Sequence, residues 1–202
     1  MDELVIATRN QGKFDEIRVF LKPRFPRLKV YSLAELKGLP ELHEDGSTFL
    51  DNARMKATLV SSFARKPALA DDSGLEVTGL GGRPGVLSAR FAGPEATHEE
   101  NLRKLLDKMK GASEQDRQAR FRCAMVLRAP SGRTVTAVGE VTGVIVDAPK
   151  GSGGFGYDPV FFLPYLGRTM AELSIAEKNE ISHRALALKK IADLLPDFLA
   201  DA

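Results

Sequence analysis

The sequence predicts an α/β protein with a mixed β-sheet, and three stretches carry that prediction. Residues 3–8, ELVIAT, form a short branched apolar run. A polar loop and the helical pattern KFDEIRVFL follow it, which is the strand, loop, helix order of a buried parallel strand. Residues 118–128 and 133–146 alternate apolar with polar side chains on either side of Ser131-Gly132, as an antiparallel hairpin does. Between these regions, a helical pattern from about Thr48 to Lys66 leads into ALADDSGLEV, residues 68–77. Parallel and antiparallel pairs in one chain make the sheet mixed.

Composition sets the frame for these elements. The chain has 202 residues, 43% hydrophobic and 28% charged, enough for one substantial core, so one domain over residues 1–202 is expected. Its apolar runs are broken by charges well before the roughly 18 residues of a membrane span, and Met1-Asp2-Glu3 does not open a basic-then-apolar leader. No membrane partner is expected. Cys123 is the single cysteine and lies in FRCAMVL, which excludes an intrachain disulfide and a thiolate zinc site and fits a core thiol in a reducing cytoplasm. A net charge of +2, from 29 basic and 27 acidic residues, gives no reason to expect direct nucleic-acid binding. The 18 glycines gather near residues 79–85 and 151–156, as in loops built to approach something closely.

After the first strand, TRNQGK at residues 8–13 joins strand to helix, where backbone donors and a helix N-terminus favour an anion. The Walker phosphate loop would need glycine at 7 and a hydroxyl at 14, and Ala7 and Phe14 exclude it. Two readings stay open: Thr8, Asn10 and Lys13 face one ligand, or Thr8 and Asn10 only cap the helix. That helix presents Phe14, Ile17, Val19, Phe20 and Leu21 as its apolar positions. Residues 28–31, LKVY, predict a second strand, with a short helical turn at SLAEL before the breaks at Gly38 and Pro40.

The acidic loop ELHEDGSTF, with carboxylates at 41, 44 and 45, reads as solvated. In the helix that follows it, Phe49, Ala53, Ala57, Val60 and Ala64 make a core face. Asn52 and Lys56, four apart, share another face, so Lys56 is either a surface group or points back to the acidic loop. In ALADDSGLEV, Asp-Ser-Gly is turn chemistry. The competing reading is a divalent-metal or general-base site, with Asp71 and Asp72 at a strand end, Ser73 a hydroxyl donor and Gly74 admitting a ligand to the backbone.

Thr97 and Glu100 fit a capping box for a helix to about Lys110. GSGGFGYDPVFF, residues 151–162, is not a dinucleotide fingerprint, because YDPVFF reads as a turn entering a strand where that fingerprint needs a helix. Phe155, between Gly154 and Gly156, either packs into the core or stands on a loop where its ring can stack on a base. Ser174 and Glu177 fit a second capping box. Ser182 precedes the last helix, whose apolar positions include Leu186, Leu188, Ile191 and Leu195. Lys178, Ser182, His183 and Arg184 cluster at its start, where a histidine is either a surface residue or, beside a lysine and an arginine at a helix N-terminus, meets an oxygen-rich ligand.

TRNQGK, the acidic residue before GSTF, ADDSGL, GGRPGVLSARFAG, GSGGFGYDPVFF and SHR follow one another in that order over roughly residues 4–190. Together they resemble the inosine triphosphate pyrophosphatase family, the dITP/XTP diphosphatases. The resemblance implies an α/β fold with a long mixed β-sheet flanked by helices, two lobes around a central substrate cleft, a homodimer, and magnesium-dependent hydrolysis of ITP, dITP and XTP between the α and β phosphates. It implies that Thr8, Arg9, Asn10, Gln11, Gly12, Lys13 and Lys56 meet the phosphates, with Lys13 also catalytic. Glu44 and Asp72 would hold Mg²⁺, Asp72 would accept the water's proton, and Ser73 would touch the substrate. Phe155, Gly156, Tyr157 and Asp158 would form the base pocket, with Lys178, His183 and Arg184 contacting the nucleotide. Two residues depart from the family's usual pattern: Arg9 stands where glycine is more common, and Leu87 where tyrosine is. The alternatives are a catalytically silent nucleotide-binding regulatory protein on the same scaffold, a phosphatase releasing orthophosphate, or a pyrophosphatase for ordinary or modified nucleotides.

Overall fold

The branched run at the start of the chain forms strand β1 (Glu3–Ile6), and the polar loop after it opens helix α1 (Gln11–Arg24), in a computed structural model that describes residues 2–200. Strand β2 (Lys29–Tyr31) and a single 3₁₀ turn at Leu33–Glu35 follow, the turn fixed by a capping box between Ser32 and Glu35. Helix α2 (Phe49–Ala64) starts at Thr48, whose side chain accepts from the backbone N–H of Asp51, and leads into strand β3 (Ala68–Val77). Helix α3 (His98–Lys108) carries the predicted box between Thr97 and Glu100. The predicted hairpin is β4 (Gln118–Arg128) and β5 (Thr134–Ile145). The chain closes with β6 (Phe161–Leu163), β7 (Arg168–Thr169), α4 (Ile175–Ile181) and α5 (His183–Ala200).

These strands form one seven-stranded sheet in the order β2-β1-β3-β4-β5-β6-β7. It is mixed: β1 pairs parallel with β2 and β3, whereas β5, β6 and β7 pair antiparallel. The chain forms two compact units. The first comprises the chain up to Asp72, Cys123–Gly139 and the chain from Arg184 on; the second comprises Ser73–Arg122 and Glu140–His183. Among the described residues, no helix is long and apolar enough to cross a membrane.

The period-2 alternation of strands divides the first unit's core. Leu4, Ile6 and Leu69 join Ile17, Phe20 and Leu21 of α1 and Leu188, Ile191 and Leu195 of α5. Val5, Ala7, Ala68 and Ala70 instead meet Ala53, Ala57 and Val60 of α2. Each large side chain buried in this way contributes roughly 1.5–3 kcal/mol. Cys123 lies in the first of these clusters, and burial pushes its thiol up to about 12. The second unit has its own core, with Leu75, Leu105, Met109, Phe121, Tyr157 and Phe161.

Two sequence expectations are corrected. ADDSGL is not a turn: Asp71 and Asp72 lie inside the ten-residue β3, not at its end. The turn preference of Asp-Ser-Gly yields because both carboxylates find partners there, which lets the strand continue. Val19 was expected among the apolar positions of α1, but it is exposed, because Ile17, Phe20 and Leu21 already turn the helix's apolar stripe away from it.

Candidate active site

Alternation along β3 sends its two adjacent carboxylates to different helices. Asp71 continues the side of Leu69, where α1 and α5 lie. Its Oδ2 meets Lys13 Nζ at 2.9 Å and Arg184 Nε at 3.4 Å. Asp72 continues the side of Ala68 and Ala70, where α2 lies. Its Oδ2 accepts from Asn52 Nδ2 at 2.9 Å, and its Oδ1 lies 3.6 Å from Lys56 Nζ.

The two acids differ in electrostatic state. Burial opposes the charge on Asp71, but Lys13, Arg184 and Lys56 outweigh it and hold its carboxyl well below the ordinary range. Asp72 is raised above its ordinary value because burial outweighs the attraction of Lys56 and Lys13, with Glu44 adding repulsion. Glu44 is pushed up by burial and pulled down further by the charge of Lys56 and a hydrogen bond from it, so it stays ionised. Lys56 is held in its charged form against burial by Asp72, Asp71 and Glu44.

Lys56 therefore points back to the acidic loop. Its ammonium pairs with Glu44, which the sequence reading left solvated, while the neighbouring Glu41 and Asp45 are exposed. Asn52, one turn before Lys56, serves as a brace: its Nδ2 donates to Asp72 and its Oδ1 accepts from the backbone N–H of Gly46 at 2.8 Å.

The loop before α1 fits the capping reading. Thr8 Oγ1 accepts from Asn10 N at 3.2 Å, and Asn10 Oδ1 accepts from Lys13 N at 3.1 Å. Beside this loop, Thr8, Arg9, Asn10 and Gln11 line a pocket of about 360 Å³ with Ser32 and Leu36 on its other wall. Sequence reasoning passed over Glu16, a buried acid that binds Arg184 and lies one turn after Lys13 on α1. The Lys13/Glu16 spacing of three residues was its available signal.

In the second unit, Gly154 takes φ +73°, and the turn lets Asp158 Oδ2 accept from Phe155 N at 3.1 Å. The same oxygen takes Lys178 Nζ at 2.8 Å, and both side chains are nearly fully buried. Lys178 Nζ stands 5.3 Å from the centre of the half-buried Phe155 ring. Tyr157 is buried and its hydroxyl donates to Ser88 O at 2.9 Å, while Gly156 and Ser73 are half-buried. His183 is buried, not a surface residue, and stacks on Phe121 with ring centres 4.8 Å apart; Arg184, buried and next to it in sequence, takes Glu16 and Asp71. Lys178 on α4 thus pairs with Asp158, whereas His183 and Arg184, the first two residues of α5, meet Phe121 and the acids Glu16 and Asp71. Leu87 is exposed on a 3₁₀ segment, Gly85–Arg90.

The donor set of Glu44 and Asp72 fits a hard cation. Both carboxylates already converge on one positive group, the Lys56 ammonium, and magnesium is ordinarily held by one or two carboxylates with water and phosphate oxygens completing its shell.

Comparison with known proteins covers nearly the whole chain. The model of the Ham1 family matches residues 4–194. A protein of Bacillus licheniformis named dITP/XTP pyrophosphatase is 50% identical over 195 residues, 96% of this chain and 98% of that one. The solved HAM1 protein of Coxiella burnetii superposes with a TM-score of 0.87 at 39% identity, covering 98% of this chain and all of that one. The Ham1 protein of Staphylococcus aureus gives 0.85 at 41% identity with the same coverage.

Proposed function

The chain belongs to the Ham1 family, and on that premise we propose that it hydrolyses the triphosphates of non-standard purines, ITP, dITP and XTP, to the monophosphate and pyrophosphate. The cell would thereby keep such bases out of DNA and RNA. The observation that carries this reading is Asp72, a buried carboxylate raised above its ordinary value within reach of Lys56 and backed by Asn52.

Phosphoanhydride hydrolysis on a polyanion needs charge neutralisation and a positioned base more than covalent chemistry. Lys13 and the loop of Thr8, Arg9, Asn10, Gln11 and Gly12 supply positive charge and donors for the phosphates, with Lys56 beside the carboxylates. Mg²⁺ held by Glu44 and Asp72 would neutralise phosphate charge when bound. Asp72 accepts the proton of the attacking water; the water oxygen bonds to phosphorus and the α–β anhydride bond breaks. Lys13 helps the departing pyrophosphate carry its charge.

Base choice belongs to Lys178 and Asp158. Lys178 can only donate and Asp158, ionised, can only accept, which complements the O6 acceptor and N1–H donor of a 6-oxo purine. Adenine presents the reverse pattern. A site built on such buried groups can reject a mismatched base by factors on the order of 10⁴. Phe155 stacks on the ring, with Gly156 and Tyr157 shaping the pocket and Ser73, His183 and Arg184 contacting or backing the nucleotide. A homodimer in the cytoplasm belongs to the same reading.

The test is turnover of ITP, dITP, XTP, GTP and ATP, each with Mg²⁺ and with the metal chelated. Fast turnover of the first three that chelation stops is the expected result. Equal turnover of ATP, or full activity without divalent metal, overturns the reading.

A further inference from the structure

Resting on the reading of the Phe155 loop as a base pocket, we propose that His98 lends the purine a second aromatic face, so that the base is held between its ring and that of Phe155. The chain has three histidines. His183 is buried and in face-to-face contact with Phe121, planes 14° apart. His43 sits exposed in the acidic loop of the first unit. His98 stands at ring distance from Phe155, with centres 6.1 Å apart and planes tilted by 41°.

That geometry suits an open clamp better than a packed pair. Two rings with a base between them stand about 7 Å apart, two contact distances of roughly 3.5 Å each. The observed separation is short of this by about an ångström, toward the loose end of the range over which aromatic pairs attract. The side chain is free to make the adjustment, because His98 is exposed and exposed rotamers turn over in picoseconds to nanoseconds. Its backbone is fixed: His98 is the first residue of α3, and the capping box of Thr97 and Glu100 pins that end of the helix. A fixed base with a swinging ring is the construction of a clamp. Lys178 and Asp158, in the same unit, then meet the edge of the purine whose faces the two rings cover.

The experiment is calorimetric titration of the full chain, with Mg²⁺, by inosine monophosphate and separately by inorganic pyrophosphate. Wild type, His98→Ala and His98→Phe are compared. Loss of one stacking face should weaken inosine monophosphate about five- to tenfold in His98→Ala. Pyrophosphate binding should stay unchanged, and His98→Phe should restore the nucleotide. Wild-type affinity for the nucleotide in His98→Ala, an equal loss for pyrophosphate, or no recovery in His98→Phe overturns the clamp and leaves the proposed activity standing. A wild-type protein that binds no inosine monophosphate overturns both.

Discussion

Asp71 and Asp72 share a backbone strand and a charge type, and their surroundings give them different work. Asp71 is almost fully buried between Lys13 and Arg184, and removing one partner of such a group leaves uncompensated charge, which costs about 3–5 kcal/mol. Asp71→Asn should therefore lower stability at pH 7 by that amount in urea unfolding. Because the folded protein holds Asp71 below its ordinary 3.8, its contribution is present above that value and fades as pH falls toward the lowered one, so the deficit should shrink in acid. A deficit independent of pH would show that the charge is not what Asp71 provides. Asp72, raised by burial, is the better base. Asp72→Asn should cut turnover by on the order of 10²–10⁴ while nucleotide still binds, and near-normal turnover would remove it from that role.

At the scale of elements, the Gly154–Asp158 turn shapes the proposed base pocket. Gly154 has positive φ, and a Cβ there would run into the Asp158 carboxylate. Gly154→Ala should strain the backbone by about 1–2 kcal/mol and move Asp158 off Lys178. The Michaelis constant for ITP should then rise on the order of tenfold, with inhibition by tripolyphosphate little changed; equal effects on both would place the turn's role with the phosphates. The elements differ in how far the sequence revealed them. Helix α2 announced itself through the helical spacing of Phe49, Ala53, Ala57 and Val60, helices α3 and α4 through the capping boxes at Thr97 and Ser174, and the β4/β5 hairpin through its alternation, because these signals act within a few residues. ADDSGL misled because its local turn chemistry is overridden by cations from α1, α2 and α5, distant in sequence. The same long-range pairing hid the solvated-looking Glu44, the buried Glu16 and the burial of Arg184, whose partners lie 12 to 168 residues away. Motif order supplied candidate residues, and only coordinates supplied their partners.

Across the whole molecule, the two compact units divide the candidate chemistry by type. The first unit holds Lys13, Lys56, Glu44, Asp71, Asp72 and Arg184, groups suited to phosphate and metal. The second holds Phe155, Asp158 and Lys178, suited to a 6-oxo purine. This division predicts separable losses: variants in the first unit change hydrolysis, and variants in the second change which base is accepted. The hydrolysis assigned to the first unit's groups rests on one central claim, that the bond broken joins the α and β phosphates. Phosphorus NMR of an ITP hydrolysis with Mg²⁺, followed from the first turnovers, tests it directly. Inosine monophosphate and pyrophosphate appearing together from the outset is the predicted result, and inosine diphosphate with orthophosphate as the first products would contradict it.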